Sequence, residues 1–219
     1  MMLLWRKVAM ALTGLFLCLF LVVHLSANAL LLLPETTGRD LYNGYAEFLR
    51  ESPPIKLVAY LLYLSILLHV AYAGRITWLN RRARPRGYET NRPRKNSSWS
   101  SRNMGWLGVL VLIFMVIHLV NFWARIKLGL GVEFGLDEAG TADVYEVAYG
   151  LFQNEFYVVF YTALMVPLAF HLHHGVRAAF RSLGFHHREG TRILAGISSI
   201  FAVVISVGFG VIPIAVYLR

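Results

Sequence analysis

Five apolar stretches, at about 7–33, 54–80, 103–127, 154–180 and 192–217, are each long enough to cross a bilayer, because a helical span needs roughly 20 apolar residues. A backbone in lipid must satisfy its own hydrogen bonds, which leaves only helices and closed barrels. None of the stretches shows the ten-residue alternation of a barrel strand. The chain is therefore predicted to be all-α, a single membrane domain over residues 1–219 forming an integral bundle of five transmembrane helices. Composition points the same way: 57% of residues are hydrophobic and 15% charged, with a mean hydropathy of +0.55, outside the range of ordinary soluble domains. The first stretch starts at Arg6-Lys7 and has no small-residue cleavage site behind it, so it is expected to be a retained helix and not a signal peptide.

Charge placement predicts the orientation. With the N-terminus cytoplasmic, Arg6 and Lys7, the segment from Arg75 to Arg102 and the segment from Arg177 to Arg192 all lie inside. That side then holds 15 of the 21 basic residues and two acids, Glu89 and Glu189. The other side holds ten acids (Glu35, Asp40, Glu47, Glu51, Glu133, Asp137, Glu138, Asp143, Glu146 and Glu155) and six basic residues. This satisfies the positive-inside rule and places the chain in the inner (cytoplasmic) membrane as a multi-pass protein. The net charge of +9 is accordingly a topological signal. Nucleic-acid binding is excluded as a reading, since the basic residues border spans and form no soluble basic face.

Four of the eight histidines, His24, His69, His118 and His171, sit one apiece in the first four stretches. An imidazole in lipid is costly unless it is bonded. Counted from the charged flanks at about 1.5 Å per residue, His24 and His118 lie roughly 24–26 Å from the inner side and His69 and His171 roughly 15–18 Å. The set reads as two facing pairs, as two haems would need. For any one histidine the plain alternative is a hydrogen bond to a neighbouring helix; four at matched depths favour ligation. Bis-histidine ligation leaves no open iron position, so the expected work is electron transfer. The lone cysteine, Cys18, can neither build an iron–sulfur cluster nor anchor a haem through C-x-x-C-H, which leaves two haem b groups; Cys18 itself reads as a packing residue.

The first and third spans resemble each other. Gly14 and Gly108 stand ten residues before His24 and His118, Phe20 and Phe114 four before, and Leu25 and Leu119 just after. In the second and fourth, His69 is followed by Gly74 and Arg75, and His171 by Gly175 and Arg177. Glycine beside an axial histidine lets a flat macrocycle approach the backbone, but small residues also serve ordinary helix packing; both readings stand for Gly14, Gly74, Gly108 and Gly175. Pro167 is expected to kink the fourth span. There His173 points away from His171, whereas His174, about 60° round the helix, competes with it as ligand. His186 and His187 read as solvated loop residues. No phosphate loop, dinucleotide fingerprint, catalytic triad or zinc motif is present, and Gly129, Gly131 and Gly135 have the wrong spacing for one. Chemistry on a soluble substrate would have to reside in another subunit.

The five-span plan, Thr13-Gly14-Leu15-Phe16-Leu17 ahead of His24-Leu25 and Asn28, His69 followed by Tyr72 and Gly74, His118-Leu119, and His171 four residues before Gly175 together resemble the dihaem cytochrome b anchor of succinate:quinone oxidoreductases, the succinate dehydrogenase and fumarate reductase family with one large anchor. The resemblance covers nearly the whole chain and rests on the four-histidine pattern more than on any single motif. It implies a haem-binding core from the first four helices, with His171 the ligand over His174. It further implies His69 and His171 on a proximal, cytoplasmic haem and His24 and His118 on a distal one. Its implied partners are a flavoprotein subunit and an iron–sulfur subunit docked on the cytoplasmic face, and its implied activity is relay of electrons from succinate oxidation to a quinone, menaquinone by the same resemblance. The chain would thus be the non-flavin subunit of an enzyme and not catalytic alone. Some fumarate reductases of the family carry an acid two positions before the fourth haem histidine; here that position is Ala169, which favours succinate oxidation as the working direction.

A quinone needs an apolar slot with donors to its carbonyls, and Tyr42, Tyr45, Glu47 and Arg50 beside the second span are the candidates. Leu41, Tyr45, Phe48 and Leu49 have helical spacing, so a short interfacial helix is the plain alternative. The inner segment from Arg81 to Arg102 has eight basic residues and one acid, with prolines and serines that oppose regular structure. It reads as a flank on anionic membrane lipid, a docking surface for the iron–sulfur subunit and a source of partners for haem propionates. Three alternatives remain at this stage: a fumarate reductase anchor oxidising quinol, the cytochrome b anchor of another respiratory enzyme, and a haem-free proton-coupled transporter with its histidines as relay.

Overall fold

The computed structural model describes residues 2–83, 98–130, 135, 137, 142–185 and 188–219. About 90% of the chain is helical, with no strand among the described residues. Helix α1 (Met2–Asn28) runs into a 3-10 turn (Ala29–Leu32), then α2 (Glu35–Glu51), α3 (Pro53–Arg82), α4 (Trp99–His118), a π-helical turn (Leu119–Ala124), α5 (Arg125–Leu128), α6 (Val144–Phe152), α7 (Glu155–Ser182) and α8 (Arg188–Tyr217). Five stretches, Trp5–Leu32, Pro53–Arg82, Trp99–Leu128, Glu155–Ser182 and Gly190–Tyr217, are long and apolar enough to cross a membrane.

These agree with the expected spans to within a few residues, and local chemistry explains the boundaries. Pro53 and Pro54 open α3, where a missing N–H costs nothing. The third span begins at Trp99, earlier than expected, because the Ser98 hydroxyl caps it by accepting from the Ser101 N–H at 3.2 Å. It ends at Gly129 in the left-handed conformation. Asn154 caps α7 by accepting from the Phe156 N–H at 2.9 Å, and α7 continues through Pro167. Of the segment from Arg81 to Arg102, residues 81–82 and 99–102 are helical; the expectation of irregular structure falls on 84–97, outside the described residues, as do His186 and His187.

Helix α1 packs against α3, α7 and α8; α4 packs on α7, and α7 and α8 form the most extensive interface. Close approach is bought by small residues: a Cβ on Gly208 of α8 would stand 2.8 Å from Leu25 Cδ2 of α1. Neither α1 with α4 nor α3 with α7 packs extensively side by side. Side chains on those helices meet only by reaching across the middle.

At the acidic end, α2 lies over the termini of the spans. Its Leu41 and Phe48 are exposed, as the interfacial-helix reading requires, while Gly38 and Asn43 are buried. Arg219 donates to the carbonyls of Leu31, Leu32 and Leu33, satisfying groups that the end of a helix leaves orphaned.

Candidate functional site

The four span histidines meet as two pairs across that middle. The rings of His24 on α1 and His118 on α4 are 5.6 Å apart, centre to centre, at 85°. Those of His69 on α3 and His171 on α7 are 6.4 Å apart at 60°. The pairs occupy two levels. Gly14 abuts His69, and Gly108 abuts His171, while each glycine precedes its own helix's histidine by ten residues, so the levels lie about 15 Å apart along the helices. The count from charged flanks gives a smaller separation.

The outer pair sits in an aromatic cage. Phe20 stacks on His24 at 5.1 Å and Phe209 lies 5.5 Å from it; Phe114, Phe122 and Tyr161 surround His118 at 5.8, 4.9 and 6.1 Å. The π-helical turn begins directly after His118. Its wider winding turns Asn121 inward, where it is buried and donates to the Tyr161 hydroxyl at 3.1 Å. Asn28, one turn after His24, donates to the His24 carbonyl at 2.7 Å and stands 3.3 Å from His24 Nδ1.

The three histidines of α7 differ in their surroundings. His171 faces His69; His173 Nδ1 is 3.2 Å from the Ser199 hydroxyl of α8. His174 turns to a polar cleft of about 230 Å³ lined also by Ser98, Ser100, Ser101, His173, Arg177 and Arg181. The N-terminus of α4 opens into this cleft, adding its partial positive charge to the two guanidinium groups. The cleft starts one turn beyond His171. Of the four glycines weighed beside the histidines, Gly14 and Gly108 border rings, Gly175 meets Met104, and Gly74 has nothing within 4 Å.

The quinone candidates are spread along α2. Tyr42 donates to Asn28 Oδ1 at 3.5 Å, which links it to the outer pair, and burial pushes its hydroxyl pKa up to about 12. Arg50 pairs with Glu51 at 3.1 Å and Glu47 at 3.8 Å at the far end of the helix, and Tyr45 is half-buried between them. Sequence reasoning did not find the polar lock beside Tyr42. There Arg39 pairs with Asp143, with Glu146 at 2.9 Å and with Glu35 at 3.2 Å, and lies 4.9 Å over the Tyr145 ring. Asn43 donates to Asp143 at 3.0 Å and Asp137 at 3.2 Å while accepting from the Tyr145 N–H at 2.8 Å.

Among the described residues no cluster of three or more histidine, cysteine or acidic side chains is arranged to hold a bare metal ion. No family model, curated protein or solved structure matches the chain.

Proposed function

We propose that this chain is the membrane anchor and electron-transfer subunit of a succinate dehydrogenase, passing electrons from a cytoplasmic iron–sulfur subunit through two b-type haems to a quinone, menaquinone by the family resemblance. The observation that carries the reading is the meeting of four span histidines as two pairs at two levels, each across helices that are not otherwise packed together. A metal–imidazole bond of about 2.0 Å, with about 1.1 Å from nitrogen to ring centre, would set two rings that share one metal about 6.2 Å apart. The inner pair stands at 6.4 Å, and the outer pair, at 5.6 Å, would need to open by about 0.6 Å to reach that figure.

A bis-histidine haem supplies one-electron transfer without a vacant coordination site. His69 and His171 would hold the inner one, with Arg177, Arg181 and the serines of the adjoining cleft available to its carboxylates through charge-assisted bonds. His24 and His118 would hold the outer one, with Phe20, Phe209, Phe114, Phe122 and Tyr161 around them. Tyr42, kept protonated by its environment and one hydrogen bond from Asn28, is the best placed of the four quinone candidates to donate to a carbonyl. The arginine-rich end, with Arg75, Arg81 and Arg82 of α3 and Arg177 and Arg181 of α7, is the docking face for the iron–sulfur and flavoprotein subunits.

The absorption spectrum of the purified chain tests the proposal. Sharp reduced bands of b-type haem at about two per chain are expected; a colourless protein overturns it in favour of the transporter. Loss of His171 should remove one haem and loss of His174 neither.

A further inference from the structure

The two histidines of the inner pair are not held alike. The Thr13 hydroxyl stands 3.3 Å from Nδ1 of His69. It donates to the Ala9 carbonyl at 2.9 Å, with the Met10 carbonyl at 3.2 Å sharing the same proton. A hydroxyl has one proton to give, and the shorter contact, to the Ala9 carbonyl, assigns it there, leaving the hydroxyl to accept from His69. On that assignment Nδ1 of His69 carries the hydrogen, and Nε2 keeps its lone pair. Gly14, the next residue, lets the ring edge come close: a Cβ there would meet His69 Cε1 at 3.3 Å.

His171 is approached by Gly108 in the same manner, with Cε1 at 3.7 Å and Nδ1 at 4.0 Å from the equivalent point. In the ten-residue register shared by the first and third spans, the position matching Thr13 is Leu107, a buried apolar residue. It offers no acceptor, and Nδ1 of His171 is buried without a partner among the described residues. The internal repeat is thus broken at a single polar atom.

We propose that Thr13 is a positioning residue, whose hydroxyl accepts from Nδ1 of His69, fixes the tautomer and plane that present Nε2 to iron, and lowers the potential of the inner haem. The inference rests on the haem reading above. A ligating histidine that donates its other N–H becomes the more basic ligand, and a more basic ligand favours the ferric state. Leu107 leaves the opposite ligand without this help.

Redox titration of the purified full chain, followed by visible absorption and by the low-spin ferric resonance signals, tests it. Thr13→Val is expected to raise the midpoint potential of one haem, changing its ferric-to-ferrous ratio several-fold at fixed ambient potential, and to leave the other unmoved. Thr13→Ser should match the wild type. Leu107→Thr, which puts a hydroxyl at the register position matching Thr13, should lower the potential of the same haem. A wild-type chain without haem overturns the haem reading and this inference with it. Two haems in the wild type, with Thr13→Ser shifted as far as Thr13→Val or with Leu107→Thr unshifted, overturns the role of Thr13 alone. Should Thr13→Val not assemble, the Leu107→Thr result decides.

Discussion

Arg39 joins segments more than a hundred residues apart, through Asp143 and Glu146 of the α6 region on one side and Glu35 of its own helix on the other. Burial alone would lower its pKa, but the hydrogen bonds to Glu146, Glu35 and Asp143 and the nearby Asp143 charge raise it, so it stays cationic throughout any working range. Asp143 is largely buried, and removing its partner leaves a carboxylate with Asn43 and the Glu146 N–H as its partners among the described residues. Arg39→Ala is expected to destabilise the protein by about 2 kcal/mol, after discounting the exposed Glu35 and Glu146 arms. Thermal unfolding in detergent checks it, and Arg39→Lys should restore little because an ammonium cannot fork between several carboxylates. Tyr42 gives a pH signature of its own. Its hydroxyl titrates near 10 in an unfolded chain and at about 12 in the fold, so the unfolded state loses the proton first. The stability it supports is intact below pH 10 and falls as pH rises toward 12. Tyr145, also raised by burial foremost, adds to this limb. Tyr42→Phe should flatten the alkaline fall in melting temperature without changing the neutral value much.

Helix α2 is held by one close contact as well as by that lock. A Cβ on Gly38 would stand 2.9 Å from the Leu30 carbonyl oxygen and 3.4 Å from that of Leu33, backbone atoms that cannot swing aside. Gly38→Ala is therefore expected to lift α2 off the 3-10 turn and cost about 1–3 kcal/mol, measurable as faster proteolysis between α2 and α3. The π-helical turn after His118 belongs to the same scale. One extra residue per turn rotates Asn121 toward Tyr161 and leaves Val120 facing outward, exposed. Such turns are frequent at functional sites. Deleting Val120 restores α-helical winding and should swing Asn121 away from Tyr161. On the proposed haem reading, the expected result is loss or spectral disturbance of the haem at His24 and His118 with the other unchanged, read from low-temperature difference spectra.

At the scale of the whole molecule, what was legible in the sequence is what hydropathy and spacing encode locally: the spans, the glycine-to-histidine register and the division of charge between the two ends. The grouping of His24 with His118 and of His69 with His171 also followed from the sequence, since the count from the charged flanks puts the members of each pair at similar depths. The separation between levels did not, because flanking charges snorkel and scatter along the bilayer normal. The Arg39 and Asn43 lock was invisible for a different reason, being a contact between distant segments that tertiary packing alone creates. Nor did the serines of 98–101 announce the cleft they form with His174 and Arg177, since they read only as breakers of regular structure. The two-level arrangement carries the final prediction. The pairs share no ligand and are separated by about ten residues of helix, roughly 15 Å, so they should behave as independent sites. Combining His24→Ala with His118→Ala should leave one haem per chain, the same number as either change alone. Combining His24→Ala with His69→Ala should leave none. If the first combination removed both haems, or the second spared one, the diagonal pairing across the middle of the spans would be wrong.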